Sequence, residues 1–250
     1  MYLYRKENDD RLDVLFVGAH PDDVEILAGG TVAVLVRLGY RVGVVDLTRG
    51  EAGSRGTPEL RRQESVEAAQ VLDVALRYTP GCPDGELENT REARLEMVRF
   101  IRRHRPRQVY THHPRDPHPD HTAAFLLTRA AVHNAGLGKV APGSEPFRPH
   151  YLFAFAPPHR VEPSFLVDVS EAWETKCRAV RCHASQVAPR REGEAPTFLG
   201  QSRFFGLMEA HSLSLGALVG VKHAEAFHTF SCLVTDDPLR SFGRKTGRLL

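Results

Sequence analysis

No stretch of this sequence approaches the ~20 consecutive apolar residues that a membrane-spanning helix needs, so no such helix is expected. The opening segment Met1 to Arg11 is polar and holds no signal-peptide hydrophobic region, which makes the cytoplasm the expected compartment. Cysteine is scarce: the four residues Cys82, Cys177, Cys182 and Cys232 form no CxxC pair, which excludes a zinc-ribbon motif. A chain of 250 residues can build a large core without disulfide staples, so these are expected to be reduced thiols. Charge of one sign is also lacking. A net charge of +2 offers no broad field for nucleic acid. Internal repeats and low-complexity tracts are absent as well. What remains, 42% hydrophobic and 26% charged residues, is an ordinary globular composition, expected to fold as one domain over residues 1–250 with a loosely ordered tail from about Asp236.

Apolar runs and turn signals alternate along the first half. Val14 to Gly18 reads as a buried strand, Val24 to Leu38 as a helix and Val42 to Leu47 as a second strand, which is a βαβ unit. Thr48 to Thr57 holds three glycines and reads as a surface loop, after which Thr57-Pro58 starts a helix to about Leu72. A strand near Ala75 to Tyr78, a helix from about Arg91 to His104, a strand Gln108 to Thr111 and a helix Asp120 to Asn134 continue the alternation. The implied class is α/β, with a mainly parallel sheet flanked by helices. Beyond Gly136 the pattern is less regular. Tyr151 to Phe155, Phe165 to Val169 and Ala224 to Phe230 read as strands, and Ser170 to His183 and Leu199 to Leu215 as helices.

Two dense runs carry the chemistry. Ala19-His20-Pro21-Asp22-Asp23-Val24 and Asp116-Pro117-His118-Pro119-Asp120-His121 each lie where a strand ends and a helix begins. In an open α/β sheet, ligand sites gather at the carboxyl ends of strands, so the two runs are expected to meet. A hydrolytic zinc takes three protein ligands and keeps a fourth position for water, and His20, Asp23 and His121 can supply such a set. Two His and one carboxylate also suit Fe2+. Asp22, beside a ligand but pointing elsewhere, is the candidate general base; His118 is placed to stabilise an oxyanion or protonate a leaving amine, with Asp120 orienting its ring. His112 and His113 are spare candidates. An isolated His-Asp pair serves as often as a helix cap, but two such runs in equivalent positions are hard to explain as caps. His104, His133, His159, His183 and His211 read as surface or packing residues, and Arg61-Arg62 as a solvated helix face. A nucleotide-binding module is the rival from another class. The first turn lacks GxGxxG, however, and holds two aspartates that would repel a pyrophosphate.

These runs resemble the signatures of the LmbE-like, PIG-L-type family of zinc-dependent N-deacetylases, AHPDD near the amino terminus and a later HPDH. Gly50 to Thr57 is similar to that family's substrate loop, and His183-Ala184-Ser185-Gln186 and Ala224-Glu225-Ala226-Phe227 are similar to its bacillithiol-biosynthesis branch. The resemblance implies a Rossmann-like fold, one Zn2+ per chain on His20, Asp23 and His121, Asp22 as base and His118 as electrostatic catalyst. It implies substrate contacts from Arg55 and Glu51. Where a tyrosine is expected before the Ala-Glu pair, this chain has His223, which takes that place as a substrate contact. The implied substrate is a small N-acetylated amino sugar, N-acetylglucosaminyl-malate in that branch; a thiol-conjugate amidase with the same catalytic groups is the alternative. The family's hexamers imply a homo-oligomer.

Overall fold

The computed structural model describes residues 1–6, 10–157, 161–190, 192–193, 195–237 and 241. His159 and most of the expected C-terminal tail, including Arg240, Arg244, Lys245 and Arg248, lie outside them. In chain order the strands are β1 (Tyr2–Arg5), β2 (Val14–Gly18), β3 (Val42–Asp46), β4 (Leu76–Thr79), β5 (Gln108–Thr111), β6 (Tyr151–Phe155), β7 (Phe165–Asp168) and β8 (Ala224–Thr229). The helices are α1 (Asp23–Arg37), α2 (Pro58–Leu72), α3 (Arg91–His104), α4 (Pro119–Ala135), α5 (Trp173–Cys182), α6 (Ala184–Val187) and α7 (Phe204–Val219).

The strands form one eight-stranded sheet in the order β1-β4-β3-β2-β5-β6-β8-β7. The central five run parallel; β1 pairs antiparallel with β4 at one edge, and toward the other β8 pairs antiparallel with both β6 and the edge strand β7. Side chains of β2 alternate between two helical layers, as a strand's period of two requires. Leu15 and Val17 pack with α3 and α4 through Met97, Ile101, Ala124 and Leu127, whereas Val14 and Phe16 pack with α1, α2 and α5 through Val24, Ala28, Leu72 and Ala179. Both faces are therefore covered, which is why β2 and β3 read as unbroken apolar runs.

The order reverses between β2 and β5: β3 follows β2 to one side, and β5 joins it from the other. Such a switch point opens a crevice at the carboxyl ends of the two strands. Both sequence runs emerge there, β2 into α1 and β5 into α4. Strand β1 falls in a segment that reads as merely polar, and α7 begins at Phe204 rather than Leu199 because Gln201 to Phe204 first closes a turn. Among the described residues no helix is long and apolar enough to cross a membrane.

Candidate active site and metal centre

At the end of β2 the chain turns sharply into α1. Asp22, the residue before the helix, has φ 132° and ψ −26°, a conformation that an L-residue adopts only when its surroundings impose it. Here they do. Arg61 from α2 donates from Nη2 to Pro21 O at 2.8 Å and to Asp22 Oδ2 at 3.2 Å, and from Nη1 to Gly50 O at 2.9 Å. The His20 N–H donates to Asp23 Oδ2 at 2.7 Å, locking Asp23 into the first turn of α1, where the helix dipole favours a carboxylate. The second run is built alike. Pro119 opens α4, the Asp120 N–H donates to His118 Nδ1 at 3.2 Å, and Asp116 Oδ1 accepts the His118 N–H at 2.9 Å.

Asp23 stands between the two imidazoles. Its Oδ1 lies 3.3 Å from His121 Nε2 and its Oδ2 3.4 Å from His20 Nδ1, and one ligand atom from each of the three lies within 4.8 Å of the others. The far nitrogen of each imidazole meets another carboxylate: His20 Nε2 is 3.0 Å from both Asp120 Oδ2 and Asp84 Oδ1, and His121 Nδ1 is 3.0 Å from Asp116 Oδ1. Carboxylates behind ligating imidazoles fix ring orientation and tautomer, the usual surroundings of a catalytic zinc. His112 stacks on His121 with centroids 3.8 Å apart and accepts the Ala19 N–H at its Nε2.

Electrostatics test whether these residues suit a cation. Asp22, Asp23, Asp84, Asp116 and Asp120 all line one cavity, and among its described lining residues Arg61 is the one arginine. Protons on the imidazoles take up the excess. Burial draws His20 down, but its bonds to Asp23 and Asp84 outweigh that and raise it to about 11. Burial likewise opposes protonation of His121, which Asp23 and Asp116 lift to about 9. Burial works against ionised Asp23, yet His121 and His112 hold it well below the usual carboxylate range. A divalent ion satisfies the same charge imbalance without protons, so the donor set fits one. Asp22 differs: burial pushes it up, Arg61 opposes and Asp23 adds, leaving it at about 6. Burial, with His121 and His20 nearby, holds His118 below its ordinary value, and the Asp120 N–H on Nδ1 leaves its proton on Nε2.

Six of the residues singled out in the sequence, His20, Asp22, Asp23, His118, Asp120 and His121, line this single cavity of about 470 Å³. Asp120 takes a different part from the one expected. Its carboxylate accepts from the Gly85 and Leu87 N–H groups at 2.9 and 3.3 Å and faces His20, while only its backbone meets His118. Three expected substrate contacts are absent from the lining. Arg55 is buried and turned away, its Nη1 donating to Gln186 O and Ala188 O at 3.2 and 3.0 Å, in space left by Gly200, whose Cβ would stand 2.4 Å from that nitrogen. Glu51 accepts the Arg49 N–H at 3.1 Å on the outside of the loop. His223, ahead of β8 near the sheet's far edge, stacks flat on Trp173 at 4.3 Å.

Other residues take part that the sequence had not marked for it. Arg61 is 4% exposed, not solvated, and its signal was present: the buried stripe Leu72, Ala69, Ala68, Ser65 continues back by helical steps to Arg61. Asp84, which also accepts the Ala52 N–H at 2.8 Å, sits in Pro83-Asp84-Gly85, indistinguishable in sequence from any turn. Gln186 lines the cavity, and His183, read as a packing or surface residue, is wholly buried 3.4 Å from Glu25.

The chain is similar to known proteins. The family described as PIG-L: GlcNAc-PI de-N-acetylase matches residues 15–132, which span both runs. Diacetylchitobiose deacetylase of Thermococcus kodakarensis is 33% identical over 229 residues, covering 83% of this chain and 83% of that protein. The 4-oxalmesaconate hydratase of Pseudomonas putida is 27% identical over 199 residues, covering 73% and 77%. The crystal structure of a conserved protein from Thermus thermophilus superimposes with a TM-score of 0.81 at 40% identity, covering 90% of this chain and 97% of that one.

Proposed function

The chain belongs to the PIG-L (LmbE-like) family, and from that premise we propose that it is a metal-dependent hydrolase removing the acetyl group from an N-acetylglucosamine derivative. The observation that carries the reading is Asp23 held between His20 and His121 with Asp22 beside it at the floor of one cavity. A zinc ion, or Fe2+, held by His20, Asp23 and His121 would supply Lewis acidity and make water a competent nucleophile near neutral pH. The remaining work falls to the chain. Asp22, at about 6, is ionised at neutral pH and still basic enough to take a proton from the attacking water. Oxygen then adds to the amide carbonyl carbon. His118 offers its Nε2 proton to the carbonyl oxygen as negative charge builds there. Collapse breaks the C–N bond as the proton taken up by Asp22 passes to the nitrogen, and acetate and the free amine leave. Asp84, Asp116 and Asp120 hold the imidazoles in place throughout.

Two aglycones are to be weighed: the patterns at His183 to Gln186 and Ala224 to Phe227 support N-acetylglucosaminyl-malate, and the 33% identity to a diacetylchitobiose deacetylase supports a second sugar. We place the enzyme in the cytoplasm, consistent with its four free cysteines, and as a homo-oligomer of one catalytic domain per chain. The test is incubation of the purified protein with N-acetylglucosaminyl-malate, N,N′-diacetylchitobiose, free N-acetylglucosamine, a thiol-conjugate amide and 4-oxalmesaconate, reading free amine and acetate. Amine release from an N-acetylglucosaminide is expected. Release from the thiol conjugate alone would make it an amidase of that class, and hydration of 4-oxalmesaconate without amine release would overturn the deacetylase reading. His20→Ala should purify nearly free of metal, because two remaining ligands hold a divalent ion poorly; full occupancy by elemental analysis in both His20→Ala and His121→Ala would overturn the ligand set.

A further inference from the structure

Part of the lining of the catalytic cavity is apolar. Ile26 and Leu27 of α1 and Phe198 and Leu199 line it together with the aspartates and imidazoles. Phe198 belongs to the strap between α6 and α7, and several bonds hold the described residues around it. The Gly200 N–H donates to Thr197 Oγ1 at 3.1 Å, the Gln201 N–H to Phe198 O at 3.3 Å and the Arg190 N–H to Gly200 O at 3.2 Å. Arg55 reaches from the Gly-rich loop to the strap's start through Gln186 O and Ala188 O, with Gly200 closing over its guanidinium. Beneath the strap, the buried ring of Phe204 meets Phe198 edge-on at 6.0 Å and 83°. The Phe198 ring is thus supported from below and remains 59% exposed.

A single exposed phenylalanine usually means nothing. This one is distinguished by its place. It lines the catalytic cavity and also the adjoining groove of about 600 Å³, whose other walls include Thr197, Gln201 and Arg203. A ligand with its amide at the metal centre and a substituent too large for the first cavity has a path over this ring. Pyranose rings present a face of C–H bonds that covers an aromatic ring well and leaves their hydroxyls at the edge, where Gln201 and Arg203 stand. An acyclic dicarboxylate has no such face.

We infer that Phe198 is a specificity-determining residue, the platform on which a second pyranose ring of the substrate rests as it passes from the catalytic cavity into the neighbouring groove. This rests on the reading of the enzyme as an N-acetylglucosaminide deacetylase, and it names the aglycone class. Wild type, Phe198→Ala and Phe198→Trp are to be compared on N,N′-diacetylchitobiose, N-acetylglucosaminyl-malate and free N-acetylglucosamine by initial rates of amine release. Phe198→Ala should raise KM for the disaccharide about three- to tenfold, the worth of one aromatic stacking contact, with kcat nearly unchanged, and Phe198→Trp should restore it. The kcat/KM for free N-acetylglucosamine, which has no second ring, should fall less in Phe198→Ala than that for the disaccharide. Wild-type turnover with no loss in Phe198→Ala, an equal loss on the free sugar, or a larger loss on the malate conjugate would overturn the platform alone. Absence of wild-type turnover on all three would overturn the deacetylase reading and the platform with it.

Discussion

Asp22 and Arg61 show how a single contact sets both shape and acidity. The guanidinium holds Pro21 and Asp22 in a strained turn and supplies the fixed positive charge that offsets the burial of the Asp22 carboxyl. As a base Asp22 must be ionised, so turnover should fall as pH drops through its pKa. Removing Arg61 takes away a lowering influence, and the acid limb of kcat/KM should move to higher pH by about one unit in Arg61→Gln. Arg61→Lys keeps the charge without the fork and should return most of that limb. Coincident pH profiles for all three proteins would remove Arg61 from this role. Asp22→Asn should retain metal and lose ~10²–10⁴-fold in turnover, read as kcat beside elemental analysis; near-normal kcat would show that another group takes the proton. The sequence made the ligands and Asp22 legible because metal chemistry demands particular side chains at particular turns. It left Arg55 and Arg61 exchanged: an arginine among glycines reads as mobile and available, and one on a polar helix reads as solvated. Only the packing of α2 against the first turn and of the strap against the loop separates them.

At the scale of elements, the parallel strands were legible because burial on both faces keeps them mostly apolar, and β2, β5 and β6 carry the boundaries expected of them. Strand β1 was not, since Tyr2-Leu3-Tyr4-Arg5 is an edge strand with half-exposed side chains, indistinguishable from a polar leader until it pairs with β4. Strand β4 concealed more. Its Arg77 is wholly buried and joins four elements, donating from Nε and Nη2 to Asp46 of β3 at 2.7 and 2.9 Å, from Nη1 to Ser65 O of α2 at 3.2 Å and also to Glu25 of α1. This ties the first turn of α1, and with it Asp23, to the sheet. Arg77→Met would leave two buried carboxylates without their partner and should cost about 3–5 kcal/mol in urea denaturation. Combining it with Glu25→Gln and Asp46→Asn should return part of the loss, because the stranded charges go too. A single-variant loss below about 1 kcal/mol would mean that water reaches the cluster.

At the scale of the whole molecule, the meeting of the two runs was expected from the α/β class, but the strand order that places β2 beside β5 is topology that local pattern does not carry. The same scale exposes something that α7 alone would not. The sequence marks this segment only as a helix; in the folded chain its outward face, Gly206, Leu207, Ala210, Leu213, Ser214, Ala217 and Leu218, is exposed, with Leu218 at 68%. No charged side chain lies on that face; Glu209 stands at its border. Small residues between leucines allow close approach of another helix, and an uncharged face is complementary to itself, as a twofold contact between identical chains requires. On the proposed homo-oligomer, this face is the expected contact with a second copy of the chain. Light scattering on the purified protein should give a multiple of 27.9 kDa. Leu213→Glu with Leu218→Glu should reduce that mass, while far-UV circular dichroism and metal content stay unchanged, because both positions are exposed and lie outside the cavity lining. An unaltered mass in the double variant would move the contact elsewhere on the surface, and a wild-type mass of one chain at high concentration would make the protein a monomer despite its bare helix.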